Sequence, residues 1–298
     1  MKGITQATEL LLFRAVKFFI CLLPRKICLL SGSILGLSFF LVDNKHRSLA
    51  LSNLKRALGN ELPLSSLRRI SRNSFTHFVR AIFDSLKFSY LKEDMKTRLL
   101  KVKGDENLDE ALQKGKGVLI FSAHYGSWEI APFFLSKKSK ISVIVRALDN
   151  SLLEEEVLEL RRSLGTNVIY KNKASRAILN SLKAKEMVCT LIDQNVLRSH
   201  AVFVDFFGKK AASSPGLATF HMRTDAPIVP AFCYPTASQT YILEILPPVE
   251  IQPDKDFTLN VLKITQKCNK IIENQIRKKP DYWLWFHDRW KTRPEGEI

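Results

Sequence analysis

The sequence has 298 residues, enough for one large domain with an appendage or for two small domains, and its 46% hydrophobic content is ordinary for a globular protein. Five widely spaced cysteines without a C-x-x-C pair exclude a disulfide framework and a zinc knuckle, and they indicate a reducing, cytoplasmic environment. The 46 Lys and Arg against 29 Asp and Glu leave a net charge of +17, so either an anionic partner (nucleic acid, a membrane surface or a phosphorylated substrate) is expected or the charge only aids solubility.

Two apolar segments lie at the N-terminus: Leu10–Leu23, which Arg14 and Lys17 interrupt, and Ile27–Val42. Each is shorter than the roughly 20 residues of a perpendicular membrane span. Helical spacing puts Arg14 and Lys17 on one face, as in a helix that lies among lipid headgroups. These cations disfavour a cleaved signal peptide, whereas a buried two-helix hairpin remains an alternative. We predict that residues 1–44 are membrane-anchoring helices that either span the bilayer or lie on it.

Residues 45–101 are predicted to be a helical segment packed on the domain that follows. An apolar stripe with helical spacing ends at Gly59-Asn60, where a helix is expected to stop. A second stripe begins after the loop 62–66 and continues to near Tyr90. No chemistry is assigned to these helices.

Residues 102–298 are predicted to form an α/β domain, because strands alternate with helices. Such alternation is typical of a sheet with helices on both faces. The predicted strands are Gly117–Ala123, Ile141–Arg146, Asn167–Tyr170, Met187–Ile192, Pro227–Cys233 and Tyr241–Leu246, and the predicted helices are Trp128–Ser136, Leu152–Leu164, Ser175–Ala184, Ser214 to about Arg223, and Thr258–Lys279.

His124 directly follows the first of these strands, at the strand end where α/β sheets carry their reactive groups. Gly126 allows a tight turn, Ser127 is placed to cap the next helix, and Glu129 is expected in that helix's first turn. Neutral imidazole is well suited to deprotonate a hydroxyl near pH 7, and an adjacent carboxylate would orient the ring. The alternative is a buried core histidine beside a glutamate that favours the helix start.

The stretch Gly115–Glu129 resembles the signature block of the bacterial lipid A biosynthesis (late-acting, lauroyl/myristoyl) acyltransferases. Similar segments follow in the family's order over nearly the whole chain. They are Asn53-Leu54, Leu191–Asn195, Val202–Gly208, Ala226–Pro230 and Pro280–Pro294.

The resemblance implies an αβα glycerolipid-acyltransferase-like fold with an anchor in the inner membrane and the catalytic domain on the cytoplasmic side. It implies an acyl thioester donor, usually acyl carrier protein, and a phosphorylated Kdo-lipid A precursor as acceptor. No bound cofactor is expected, since neither a G-x-G-x-x-G motif nor a P-loop occurs. His124 would be the general base and Glu129 its partner. Substrate binding would fall to Arg161 or Arg162, with Arg161 preferred, and to Asp193.

Several positions depart from the family's pattern: Ser127 where Asn is frequent, Asp205 where Pro is frequent, and Asn195 where an acidic residue is often found. None of them alters the His/Glu pair, so the predicted reaction stands while the acceptor stays open. Another glycolipid, such as a phosphatidylinositol mannoside, is the near alternative. A membrane-surface protein that keeps the fold without the reaction is the more distant one.

An aromatic and basic segment, Tyr282–Lys291, is the remaining candidate for ligand binding. Its tryptophans are predicted to be core anchors, with Arg289 facing an anionic ligand such as a substrate phosphate. No nucleic-acid-binding module is recognisable, so nucleic acid is not expected as a partner. The histidines show no metal-ligand spacing, and the G-x-S-x-G motif of serine hydrolases is absent.

Overall fold

The structure is a computed structural model that describes residues 2–172, 174–252 and 254–296. Met1, Glu297 and Ile298, at the ends of the predicted 1–44 and 102–298 segments, lie outside the described residues. The chain begins with five helices: α1 (Lys2–Leu22), α2 (Arg25–Val42), α3 (Asn44–Leu58), α4 (Leu64–Ser89) and α5 (Glu93–Leu99).

Local sequence explains where these helices begin and end. Pro24 separates α1 from α2, and Pro63 immediately precedes α4. Asp43 caps α3 by accepting a hydrogen bond from the His46 amide, as N-cap aspartates do. The predicted stop at Gly59 is confirmed.

Strands and helices then alternate, as predicted. The strands are β1 (Leu100–Lys103), β2 (Val118–Ser122), β3 (Ile141–Val145), β4 (Thr166–Tyr170), β5 (Met187–Leu191), β6 (Val202–Phe206), β7 (Lys209–Ser213), β8 (Ile228–Pro235) and β9 (Tyr241–Ile245). The remaining helices are α6 (Asp105–Gln113), α7 (Ala131–Lys138), α8 (Ser151–Ser163), α9 (Ala174–Lys183), α10 (Gly216–Thr224) and α11 (Phe257–Lys278).

Seven strands form the main sheet in the order β1-β9-β8-β2-β5-β3-β4, and β6 and β7 form a separate antiparallel hairpin. The strands from β8 to β4 are mutually parallel, while β9 pairs antiparallel with β8. Alternate residues of β2 enter two different cores: Leu119 and Phe121 face one, Val118 and Ile120 the other. Helices therefore cover both faces of the sheet, which confirms the predicted α/β class.

Three sequence predictions need correction. Helix α7 begins at Ala131 rather than Trp128, with Pro132 in its first turn, where proline is tolerated. Glu129 consequently lies in the turn before the helix, and Ser127 does not cap it. The predicted elements also omitted β1, α6 and β7, which are short and partly polar.

Helix α2 packs closely along α4. A Cβ at Gly36 would lie 2.7 Å from Thr76 Cα, and one at Gly32 would lie 2.9 Å from Arg80 Cα, so only glycine allows this approach. Among the described helices, α2 is the one whose length and apolar composition would suffice to cross a membrane, and only 22% of it is buried.

Helix α1 lies against α8, and both of its cations contact that helix. Arg14 Nε and Lys17 Nζ bind the two carboxylate oxygens of Glu156 at 2.8 and 2.7 Å. The two cations share a face, as expected, and both bind one protein carboxylate, while the Arg14 side chain remains 62% exposed. Large apolar side chains elsewhere on α1 and α2 are exposed: Leu11, Leu12, Phe18, Phe19, Leu22, Leu30, Ile34, Leu41 and Val42.

Candidate active site

The register of two neighbouring strands places His124 beside Asp193. Ser122, the last residue of β2, pairs with Leu191, the last residue of the parallel strand β5. His124 and Asp193 each follow two residues later, so they meet at the carboxyl edge of the sheet. His124 Nδ1 lies 2.9 Å from Asp193 Oδ1, and the His124 amide donates to Asp193 Oδ2 at 3.0 Å.

This contact determines which imidazole nitrogen is available for chemistry. An ionised carboxylate only accepts hydrogen bonds, so Nδ1 carries the proton that bonds to Asp193. In the neutral ring Nε2 is then the acceptor, and it lies on the cleft side, 3.4 Å from Gln194 Nε2. The ring is therefore oriented as a general base whose proton-accepting atom is reachable from the cleft.

Electrostatics within the pair favour its charged form. Burial lowers the pKa of His124, but the charge and hydrogen bond of Asp193, together with the charge of Glu129, outweigh it, so the pKa is raised. Burial alone would raise the pKa of Asp193, yet the imidazole and the Trp283 indole lower it to about 2. Asp193 is thus a permanent anion that stabilises the imidazolium formed when His124 takes a proton.

The second oxygen of Asp193 is held from the other side by Trp283, whose Nε1 donates to Oδ2 at 2.8 Å. Trp283 is 2% exposed and forms a β-bridge with Tyr125, which directly follows His124 in the sequence. The C-terminal aromatic segment is therefore not only a core anchor, as predicted, but also the support of the site carboxylate.

Helix α4 contributes a positioning residue that the sequence prediction missed. His77 Nε2 lies 3.1 Å from the Gly126 carbonyl oxygen, which only accepts, so Nε2 is the donor. Burial lowers the pKa of His77 to about 4, and its ring stacks on Tyr282 at 4.3 Å. Gly126 has φ +63°, and a Cβ there would lie 2.2 Å from the Cys233 carbonyl oxygen, so the turn after His124 requires glycine.

The structure places Glu129 differently from the prediction. Its carboxylate binds Arg161, with Arg161 Nη2 2.9 Å from Oε1 and Nε 3.4 Å from Oε2. The carboxylate that orients the His124 ring is Asp193, which the sequence prediction assigned to substrate binding. Glu129 acts on the imidazole through its charge alone, because no hydrogen bond joins the two side chains among the described residues.

These groups line one cleft of about 850 Å³ at the carboxyl ends of β2, β3, β4 and β5. Its polar wall includes His124, Glu129 and Arg161, and the strand-end residues Arg146 and Lys171 add positive charge. Its apolar wall includes Leu119, Ile144, Leu148, Ile178, Val188, Leu191, Val196, Leu217 and Phe220. Of the two arginines left open by the sequence, Arg161 lines the cleft, and Arg162 is an exposed residue outside it.

Arg289 does not face a ligand, which corrects the prediction for this residue. It is 0% exposed, and its guanidinium donates to the Ala212 carbonyl, Ser213 Oγ and Asn269 Oδ1. Arg289 therefore joins the β6–β7 hairpin to α11. The neighbouring His287 does line the cleft, where its Nε2 accepts a hydrogen bond from the Asn195 amide at 3.1 Å.

Asn53, in helix α3, links the N-terminal helices to the C-terminal segment. Its side-chain amide, 1% exposed, donates to the carbonyl oxygens of Trp285 and His287 at 2.9 and 2.8 Å. The N-terminal helices thereby hold the C-terminal segment that supports Asp193. Within the described residues, no group of three or more His, Cys, Asp or Glu side chains is arranged to hold a metal ion, and all five cysteines are free thiols.

Comparison with known proteins finds relatives among bacterial acyltransferases. A relative, the lipid A biosynthesis palmitoleoyltransferase of Escherichia coli, is 28% identical over 198 residues, which are 66% of this chain and 63% of that protein. The phosphatidylinositol mannoside acyltransferase of Mycobacterium tuberculosis is 24% identical over 192 residues, 63% of this chain and 58% of that protein. The chain thus spans less than two thirds of the length of these curated relatives.

A solved structure, that of the 1-acyl-sn-glycerophosphate acyltransferase from Thermotoga maritima, covers 84% of this chain and 98% of its own at 13% identity. The TM-score between the two structures is 0.34. The sequence model of the bacterial lipid A biosynthesis acyltransferases, in contrast, matches residues 4–292. The chain therefore belongs to the bacterial lipid A biosynthesis acyltransferase family.

Proposed function

We propose that this protein transfers a fatty acyl chain from an acyl carrier protein thioester to a hydroxyl of a phosphorylated Kdo-lipid A precursor. The observation that carries the proposal is the His124–Asp193 pair at 2.9 Å, which leaves Nε2 of His124 as the proton acceptor at the wall of a cleft both apolar and cationic. A lipid hydroxyl acceptor needs both kinds of wall: one for hydrocarbon and one for phosphate.

The reaction begins when Nε2 of His124 accepts the proton of the acceptor hydroxyl. The hydroxyl oxygen attacks the thioester carbonyl carbon, forming the new ester bond, and the carbon–sulfur bond breaks. The departing thiolate takes the proton back from the imidazolium, so His124 is regenerated without any redox change. Asp193 holds the ring through both proton transfers and stabilises its charged form.

Acceptor binding is assigned to the cationic side of the cleft. Arg161 is fixed there by Glu129, while Lys171 is exposed and forms no ion pair with a described carboxylate. Two such cations suit phosphate groups on the acceptor, since guanidinium and ammonium groups bind phosphate through charge-assisted hydrogen bonds. Asp193, with both oxygens occupied, is not assigned to substrate.

The proposed location is the cytoplasmic side of the inner membrane. The exposed apolar side chains of α1 and α2 would contact lipid, and the +17 charge suits an anionic leaflet. Helix α1 also borders the cleft, because its Gln6 and Glu9 bond to Asn150 and to the Asp149 carbonyl. A lipid acceptor would then reach the cleft without leaving the membrane surface.

The test uses purified full-length protein with radiolabelled acyl carrier protein thioesters and a Kdo-lipid A precursor. Wild type is expected to transfer label, and His124→Ala to lose transfer by at least about 10²-fold, the lower range for general-base assistance. His200→Ala is the matched control, because His200 lies outside the cleft lining. Equal inactivity of wild type and His124→Ala, with both still binding anionic vesicles, would favour a non-catalytic membrane-surface protein.

The acceptor is tested separately from the reaction. The relative of Mycobacterium tuberculosis is named for phosphatidylinositol mannoside, so that glycolipid belongs in the acceptor panel. Mass spectrometry of lipid A from cells that lack the gene gives the independent answer. Loss of one acyl chain would identify its length and position, whereas unchanged lipid A would refute this acceptor.

A further inference from the structure

A second cavity, of about 660 Å³, lies among α2, α3 and α4 and shares no residue with the catalytic cleft. Its cations are Arg47 of α3 and Arg68, Arg69 and Arg72 of α4. We call these residues and their surroundings the arginine pocket. The remaining lining residues are Phe40, Ser48, Leu51, Ser65 and Ser71.

The three α4 arginines that line the pocket have no electrostatic partner within the described residues. Arg68, Arg69 and Arg72 are exposed, and no carboxylate in the described part of the chain forms an ion pair with them. Three cations held within five residues of one helix repel one another, so an anion placed among them is favourable.

Ser71 gives an independent indication of a ligand. Its side chain is 1% exposed, lines the arginine pocket, and its Oγ has no hydrogen-bond partner. A buried hydroxyl without a partner costs free energy, and such groups are rare in folded proteins. A ligand oxygen in the pocket would supply the missing partner.

The position of the pocket identifies the kind of anion. Phe40 belongs to the last turn of α2, the apolar helix with the length of a membrane span. Arg47 donates to the carbonyl oxygens of Phe40 and Leu41, both at 2.9 Å, and so closes the C-terminal end of that helix. Val42 at the end of α2 is 81% exposed. The pocket therefore lies where an apolar helix meets a cationic surface, as hydrocarbon meets headgroup in a bilayer.

We propose that the arginine pocket binds the phosphate of an anionic phospholipid, whose acyl chains lie along the exposed face of α2. The arginines and Ser71 contact the phosphate oxygens, and Phe40 and Leu51 contact the glycerol and upper acyl chains. The bound lipid fixes the depth and orientation of the protein at the membrane surface. It takes no part in the acyl transfer.

The binding experiment uses full-length protein in a neutral detergent, with calorimetric titration of short-chain phosphatidylglycerol. Short-chain phosphatidylcholine and inorganic phosphate serve as comparison ligands. Wild type is expected to bind phosphatidylglycerol at least tenfold more tightly than either. Equal binding of inorganic phosphate would refute a lipid site, because the glycerol and acyl contacts would then contribute nothing.

Two variants and a control locate the site. Arg68→Gln/Arg69→Gln/Arg72→Gln is expected to weaken phosphatidylglycerol binding at least tenfold. The control removes the same charge from three exposed lysines outside the pocket, which precede β2 and β5 in the chain, Lys114→Gln/Lys116→Gln/Lys183→Gln. An equal loss in the control would show that net charge, not the arginine pocket, is responsible, and would overturn the proposal.

Ser71→Ala separates a ligand contact from a folding role. The lipid-free variant should melt at or above the wild-type temperature, since it removes an unpartnered hydroxyl, while its affinity for phosphatidylglycerol should fall severalfold. Unchanged affinity would refute a role for Ser71. If the arginine variant instead lost binding of acyl carrier protein and kept lipid binding, the pocket would be a donor-docking surface. All readouts are binding measurements, so they do not depend on the proposed acyl transfer.

Discussion

Replacing Asp193 by Asn is the sharpest test of the catalytic arrangement, because the hydrogen bonds around this carboxylate predict how the amide must orient. Oδ2 accepts from two donors that cannot reverse, the His124 amide at 3.0 Å and Trp283 Nε1 at 2.8 Å. The asparagine oxygen is therefore expected at the Oδ2 position. Its NH2 group must then take the Oδ1 position, facing His124 Nδ1.

An NH2 group facing Nδ1 forces that nitrogen to become an acceptor. The proton of the neutral ring then moves to Nε2, the atom that must receive the proton of the acceptor hydroxyl. The Asp193→Asn variant should therefore hold His124 in the tautomer that cannot accept the hydroxyl proton, while the shape of the site stays nearly unchanged. The expected loss of kcat/KM is the full general-base contribution, about 10²–10⁴-fold.

The pH dependence provides a second readout with a defined sign. The charge of Asp193 raises the pKa of His124, and the base must be neutral to act, so wild-type activity should fall as pH decreases through that raised pKa. Removing the charge lowers the pKa of the imidazole, so the acidic limb of the residual activity should move to lower pH. The measurement is kcat/KM for acyl transfer from pH 5 to 9.

Asp193→Ala, which leaves the ring free to adopt either tautomer, is the companion variant. It should retain more activity than Asp193→Asn if the tautomer is the decisive defect. An Asp193→Asn variant that keeps more than a tenth of wild-type activity, or an acidic limb that does not move, would refute the proposed role of Asp193.

Three further predictions concern other parts of the site. Glu129→Gln should move the acidic limb of the pH profile to lower pH, with a smaller loss of rate than Asp193→Asn. Its effect should not add to that of Arg161→Gln, because the two side chains form one ion pair. A double-mutant cycle in kcat/KM measures this, and additive losses would contradict the pairing. Arg289→Met should leave KM unchanged but lower the free energy of unfolding by about 1–3 kcal/mol, because buried hydrogen-bond acceptors would lose their donor. A raised KM with unchanged stability in urea titration would contradict this. Gly126→Ala should reduce kcat at least about tenfold, because the added Cβ would lie 2.2 Å from the Cys233 carbonyl oxygen and the backbone at this position is left-handed. A variant with the wild-type kcat would show that the turn adapts to the side chain.

Local sequence patterns predicted most of the elements but not their spatial neighbours. The alternation of strands and helices and the strand-end position of His124 follow from short-range periodicity. The pairing of β2 with β5 does not, because β3 and β4 lie between them in the chain. Asp193 follows β5 just as His124 follows β2, so the signal was present, but only the strand order shows that the two residues are adjacent.

Long-range contacts also decide between a surface role and a core role for charged residues. Arg289 stands among aromatic and basic residues, a composition that fits an exposed anion site. It is buried because Asn269 of α11 and the β6–β7 hairpin provide acceptors for its guanidinium. His77 is the converse example, because its position in the sequence suggests only a core residue. It lies within the apolar stripe of a helix, where spacing alone does not distinguish a core residue from one that supports the turn after His124.

The two carboxylates of the site, Asp193 and Glu129, have different partners, and this difference suggests that separate residues govern substrate choice and proton transfer. Asp193 is 2% exposed and has its oxygens occupied by His124 and Trp283, so it is not available to substrate, and its proposed role is confined to proton transfer. Glu129 is more exposed and holds Arg161 at the cleft wall, where acceptor phosphates are proposed to bind. Changes at Arg161 or in the loops after β3 and β4 would therefore alter which acceptor binds without disturbing the His124–Asp193 pair. Such a division explains how one reaction is compatible with relatives named for lipid A and for phosphatidylinositol mannoside, and it places the search for acceptor specificity in those loops rather than in the histidine-containing turn.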